Sequence, residues 1–243
     1  MDLLDAFTFD GVSAAIVASL FSIIGALVWL LFWLQEDWRR PEPKGLVALT
    51  FIYGGLSTAI ALPLQLLFQW LLQEKLGLAG MSVVFLIVIS VTEEIVKYGA
   101  AYVAALRRKE FDEPVDALIY LITSAVGFTA VENSLYIFKV ITSSTNSETV
   151  LFGLHRLITP SVLHIVVSAL VGFAIALGFY HKKLTQRILL ISGLFAAVTL
   201  HTLFNYLILK TDTADLLGIS VWISAIVIIF LFEYVKRIKP PTP

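Results

Sequence analysis

The sequence predicts an all-α polytopic membrane bundle of about seven transmembrane helices, with the N-terminus outside the cytoplasm and the C-terminus inside. Three observations carry this. The chain of 243 residues is 58% hydrophobic and only 14% charged, whereas a soluble domain carries about a quarter charged residues. Its apolar residues gather in runs of about 20 or more, the length needed to cross roughly 30 Å of hydrocarbon. Its lysines and arginines concentrate on alternate connectors.

The spans follow in order. Span one covers 11–34 and is apolar throughout; the acidic start MDLLDAFTFD lacks the basic region of a signal peptide, so the segment is expected to be retained. Span two covers 45–72, between QEDWRRPEPK and QEKLGLAG. Span three covers 81–106 and ends on RRKEFDEP. Span four covers 114–138. Asp112, Glu113, Pro114 and Asp116 at its start are ordinary helix-start chemistry, acidic side chains and an early proline suiting the exposed N–H groups there. Spans five, six and seven cover 151–180, 185–209 and 216–235, joined by HKKLTQR and KTDTAD. No Ser/Gly linker, soluble insertion or repeat divides them. Residues 1–243 therefore read as a single integral membrane domain, with a motif-bearing core at 81–209.

Orientation rests on the basic residues. Arg39, Arg40 and Lys44, then Arg107, Arg108 and Lys109, then Lys182, Lys183 and Arg187, and finally Lys236, Arg237 and Lys239 fall on one side. Only Lys75, Lys139, Arg156 and Lys210 fall on the other, and Lys97 lies inside a span. The side rich in lysine and arginine is the cytoplasmic one. A net charge of −1 gives no broad basic face, so no nucleic-acid partner is expected. The absence of cysteine removes disulfides, thiolate metal sites and cysteine nucleophiles.

The informative residues are polar ones in apolar surroundings. Span three places Glu93 and Glu94 at its middle with Lys97 one turn on. An ionised group at mid-bilayer costs about 2.5–3.5 kcal/mol on insertion scales. A structural ion pair within the helix accounts for one glutamate, not for both. Span four carries Phe128, Glu132 and Asn133; Glu132 alone reads equally as a neutral carboxyl bonded to another helix. Span five carries the lone His164, which by itself is more often a hydrogen-bonding core histidine than a ligand. Span six carries His201 and Asn205, four residues apart on one face. At 1.5 Å per residue, Glu93 lies roughly 18 Å, Glu132 roughly 9 Å and His201 roughly 12 Å below the outer ends of their spans. One site in the outer half of the bilayer accommodates all of them. Two glutamates, two histidines and an asparagine suit hydrolysis, and two histidines with a carboxylate are the donor set of one class of catalytic zinc site. No HExxH is present, which excludes the common zincin arrangement.

These residues resemble the PrsW family of intramembrane proteases, relatives of the CAAX prenyl endopeptidases and of bacterial bacteriocin-immunity proteins. EEIVK (Glu93, Glu94, Lys97) resembles the family's EExxK motif and FDEPVDALIY (Phe111 to Tyr120) its FDEPxDGxxY segment, with Ala117 in place of the glycine. GFTAVEN resembles FxxxE through Phe128 and Glu132, His164 stands at the third motif, and HTLFN matches HxxxN through His201 and Asn205. The likeness covers about 90–206. It implies a multi-pass protein of a bacterial cytoplasmic membrane that hydrolyses a membrane-anchored protein, an anti-sigma factor, within the lipid bilayer. It implies Glu93 or Glu94 as the base that activates water, and Glu132, His164 and His201 as ligands of a divalent metal, zinc, or as polarising groups. Asn205 would orient His201 or stabilise the oxyanion, Lys97 would tune the glutamates, and Phe128 and Asn133 would support the site.

The rival class is an ion- or proton-coupled transporter, because buried glutamates and histidines also build proton relays. The spans show no inverted repeat to favour it. A non-catalytic scaffold is the third reading, separated from the first by proteolysis of a reconstituted substrate.

Overall fold

The computed structural model describes residues 11–38, 40–78, 82–143, 146–210 and 214–240. The acidic N-terminal decapeptide and Arg39, both used in the topology reading, lie outside the described residues. Seven helices run as α1 (Gly11–Leu34), α2 (Lys44–Trp70), α3 (Val83–Ala101), α4 (Pro114–Ser143), α5 (Asn146–Gly178), α6 (Lys183–Lys210) and α7 (Ala214–Val235). No strand occurs among the described residues. The ends of α2 and α3 widen into π turns at Leu71–Lys75 and Tyr102–Leu106. Each helix matches one predicted span. The largest differences are at the α4–α5 connection, where α4 runs five residues further and α5 begins five residues earlier than the hydropathy pattern suggests.

Five stretches are long and apolar enough to cross a membrane: Gly11–Asp37, Lys44–Lys75, Pro114–Thr142, Ile158–Gly178 and Lys183–Leu209. Glu93, Glu94 and Lys97 keep α3 out of that set; all three are buried within the bundle. Of α7, the described apolar stretch is Ile226–Val235. The protein is a multi-pass membrane helix bundle.

The central helix is α4, whose apolar window is 94% buried against 22% for α1 and α6. It packs chiefly on α5, α1 and α2, while α3 rests on α2 and α6. Between lipid-exposed helices there is no hydrophobic drive, so small residues that let backbones approach carry the packing. A Cβ added to Gly54 of α2 would stand 2.1 Å from the Ser124 carbonyl oxygen, and one added to Gly127 of α4 would stand 2.0 Å from that of Phe51. These two glycines bring α2 and α4 into backbone contact. Trp33 of α1 stacks on Phe232 of α7, ring centroids 6.0 Å apart, and closes the far side.

Candidate active site

The polar residues singled out in spans three to six converge between α3, α4, α5 and α6. Their backbone setting explains much of this. Ser82 caps α3, its Oγ accepting from Phe85 N at 3.3 Å, and begins the helix that carries Glu93, Glu94 and Lys97. Ser124 of α4 donates to the Lys97 carbonyl at 2.8 Å and sets the height of α4 against α3. Pro160 lacks an N–H, which deprives the Arg156 carbonyl of its normal helical partner. Ser161 Oγ donates to that oxygen at 3.1 Å and Asn133 Nδ2 at 3.3 Å. Asn133 thereby ties α4 to α5 just above His164.

Both histidines are buried and held by a carboxylate at one ring nitrogen. His201 Nδ1 lies 2.7 Å from Glu94 Oε1. His164 Nε2 lies 3.1 Å from Glu132 Oε2. With those nitrogens donating, His201 Nε2 and His164 Nδ1 are left as acceptors. Both turn toward Glu93 Oε2, at 3.6 and 3.9 Å. Glu93 Oε1 accepts from Gln65 Nε2 of α2 at 2.8 Å, whereas Glu93 Oε2 is buried with no hydrogen-bond partner. Glu93, His164 and His201 each offer a ligand atom within 4.8 Å of the others. Glu93 Oε2 has no donor of its own and faces two imidazole nitrogens, of which His164 Nδ1 also meets the Lys97 ammonium at 3.1 Å; the three side chains fit a divalent cation once that ammonium turns to Glu94 alone. Each histidine would then keep the outer carboxylate that metal-bound imidazoles normally have.

Lys97 is fully buried. Its Nζ donates to Glu94 at 2.6 Å and lies 3.1 Å from His164 Nδ1 and 5.6 Å from the centre of the Phe128 ring. That ring also packs on His164, centroids 5.6 Å apart. The shorter bond, to Glu94, can hold the ammonium when His164 Nδ1 is engaged elsewhere.

A cavity of about 520 Å³ reaches this cluster, and Glu93, Glu132, His164, His201 and Asn205 lie on its wall. Glu94 lies behind the histidine, so the paired glutamates have different surroundings, as their roughly 100° separation around the helix requires. His201 is oriented by Glu94, whereas Asn205, one turn further along α6, faces the cavity. Two site residues were not anticipated. Gln65 sits in an apolar span with no charge to mark it. Arg156 was counted with the loop charges; it donates to Glu132 Oε2 at 3.1 Å and to Asn133 Oδ1 at 2.9 Å, and its guanidinium lies 3.9 Å over the Tyr136 ring. Arg156 lies within the predicted span five, and its bonds to Glu132 and Asn133 of α4 turn it into the bundle.

A family model, described as PrsW family intramembrane metalloprotease, matches residues 42–234. The chain belongs to the PrsW family. It is therefore a peptidase of the membrane, in a family of metalloproteases. Relatives named Protease PrsW agree. That of Clostridioides difficile (strain 630) is 28% identical over 193 residues, covering 78% of each chain. That of Geobacillus kaustophilus (strain HTA426) is 24% identical over 188 residues, covering 77% of each. That of Halalkalibacterium halodurans is 26% identical over 188 residues, covering 77% of this chain and 81% of the relative. No solved structure matches.

Proposed function

We propose that this PrsW-family chain hydrolyses a peptide bond of a membrane-anchored protein near the extracytoplasmic end of that protein's span, with water activated at Glu93, His164 and His201. The observation that carries this is the buried, unpartnered Glu93 Oε2 turned toward two imidazole nitrogens. Two histidines and one carboxylate are a catalytic zinc donor set, and we assign zinc to them. Bound there, the ion would supply the Lewis acidity that makes water a nucleophile near neutral pH.

The remaining roles belong to the chain. Glu94 and Glu132 hold the two imidazoles in one tautomer and orientation, and Gln65 fixes the rotation of the Glu93 carboxylate. Glu132 stands on the cavity wall with its side chain 17% exposed. We assign to it the proton taken from water and returned to the leaving amine. This exchanges the roles of Glu93 and Glu132 that the family likeness implied. Asn205 is the donor available to a developing oxyanion. The substrate segment must unwind here, because a helix hides its carbonyls in internal hydrogen bonds. The end of a span, where water satisfies the freed groups, is the least costly place. On the orientation expected from the basic residues, the part of the cavity wall formed by Lys139 and Arg156 lies toward that boundary. From the family likeness we propose an anti-sigma factor as the substrate.

Metal analysis and cleavage assays on purified variants test the assignment. Glu93→Gln and His201→Ala are expected to lose both metal and cleavage. Glu132→Gln is expected to keep the metal and lose about 10²–10⁴ in turnover. Metal kept in Glu93→Gln but lost in Glu132→Gln would return the ligand role to Glu132. Mass spectrometry of the fragments locates the cut; a cut at the cytoplasmic end of the substrate's span refutes the boundary proposal.

A further inference from the structure

A second polar cluster lies at the far end of α4, about 24 Å along the helix from Glu132 at 1.5 Å per residue. Asp37 in the turn that follows α1, Glu42 in the α1–α2 connector and Asp116 in the first turn of α4 each offer an oxygen within 4.8 Å of the others. Asp37 is 7% exposed and Asp116 is 1% exposed.

The bonds made by the cluster leave a gap. Asp116 Oδ2 accepts from the backbone N–H of Asp112 at 2.9 Å and of Glu113 at 2.8 Å, which is helix-start capping. The Tyr120 hydroxyl donates to Glu42 Oε2. Asp37 Oδ2 is buried and has no hydrogen-bond partner. Two bases among the described residues near the cluster make their hydrogen bonds to other carboxylates. Arg40 donates to Glu113 at 2.5 Å, and Lys236 to Glu36 at 2.8 Å and Glu233 at 2.9 Å. Helix capping accounts for Asp116 but supplies nothing for Asp37. A buried carboxylate with an unpartnered oxygen, grouped with two further carboxyl groups, needs either a proton or a cation.

The donor set is oxygen only, with no histidine among the three residues. Such sites suit hard cations, and magnesium in particular keeps several of its waters. A crevice of about 300 Å³ lined by Glu42, Glu113 and Asp116, with Asp37 behind its wall, gives room on the open side of the cluster for part of an ion's hydration shell.

We propose that Asp37, Glu42 and Asp116 form a second site, for a hard divalent cation, magnesium or calcium, which ties the α1–α2 connector to the start of the central helix. The rival account is that the carboxyls share protons. Burial is the largest influence on Glu42 and holds its carboxyl above the ordinary carboxylate range, against the hydrogen bond from Tyr120. A bound cation displaces that proton.

Terbium, a hard cation whose emission is sensitised by a nearby tyrosine, separates the accounts because Tyr120 bonds directly to Glu42. The full chain is purified in detergent, stripped with chelator and titrated with terbium. Saturable emission is expected, displaced by magnesium or by calcium; the better displacer identifies the ion. His201→Ala is expected to keep the emission. Asp37→Asn and Glu42→Gln are each expected to weaken binding roughly tenfold or more, because ligand charge sets affinity in oxygen sites. If Asp37→Asn does not fold, Glu42→Gln decides, together with a cation-dependent rise in the wild-type unfolding midpoint. No displaceable emission from the wild type overturns the proposal, as proton sharing requires. So does wild-type emission in both carboxylate variants, and so does emission lost in His201→Ala, which would place the ion at the centre of the bundle.

Discussion

At the residue scale, the site is a set of bonds that leave one oxygen unused. Gln65 donates to Glu93 Oε1, and this bond determines which oxygen of that carboxylate faces the histidines. Gln65→Leu preserves bulk and removes the donor. We expect about 10–100-fold loss in metal affinity or activity, the usual effect of deleting an outer partner of a metal ligand. Metal titration and turnover, measured together, check it; unchanged values would remove Gln65 from the site. Lys97 belongs to stability more than to chemistry. Lys97→Met leaves Glu94 buried beside His201 without its counter-charge, and breaking a buried pair on one side costs about 3–5 kcal/mol. A large fall in the unfolding midpoint in detergent is the expected result. Sequence reasoning found Glu93, Glu94, Glu132, His164 and His201 because charge in an apolar run is conspicuous. It missed Gln65 because an uncharged amide is not.

At the element scale, α4 carries the architecture. Its glycine crossing with α2 sets the distance between Gln65 and Glu93 indirectly, since α2 also packs on α3. Gly127→Leu cannot be accommodated by a rotamer change, because the obstacle is the Phe51 backbone oxygen. Overpacking costs about 1–3 kcal/mol where side chains can shift, and more is expected here. Reduced yield of folded protein and a displaced α2, seen as lost cleavage with folded residue, are the readouts. The bounds of α4 and α5 show where hydropathy falls short. Hydropathy sees only where apolar residues stop, and a polar stretch such as Asn146–Glu148 at the start of α5 continues the helix without contributing hydrophobicity.

At the scale of the whole molecule, orientation decides what the cavity is exposed to. From the bias of lysine and arginine, the α4–α5 end is expected outside and the α5–α6 end inside. In this cysteine-free chain, single cysteines introduced at 144 or 145 are expected to react with an impermeant reagent from outside intact cells, and cysteines at 182 or 183 only after permeabilisation. The reverse pattern would invert the cavity and relocate the proposed cut to the cytoplasmic boundary. A transporter reading asks for a path through the bundle to both faces. Lys139 and Arg156 share the wall of the cavity with the two histidines.

What the sequence determined by itself was the membrane, the helical class, the place of each span to within a few residues and which charged residues lie inside the spans. Each follows from one-dimensional physics: apolar length against bilayer thickness, and the cost of charge in lipid. The family likeness was legible in the same way, as short strings at fixed positions. Only the tertiary structure decided which glutamate faces the histidines, which ring nitrogens remain free, and that Gln65 and Arg156 belong to the site. Glu93 and Glu94 are adjacent in sequence and chemically identical. Their difference arises because one meets Gln65 across α2 while the other meets Lys97 and His201 Nδ1. Such partners lie 28 and 107 residues away along the chain, and nothing short of helix packing brings them together.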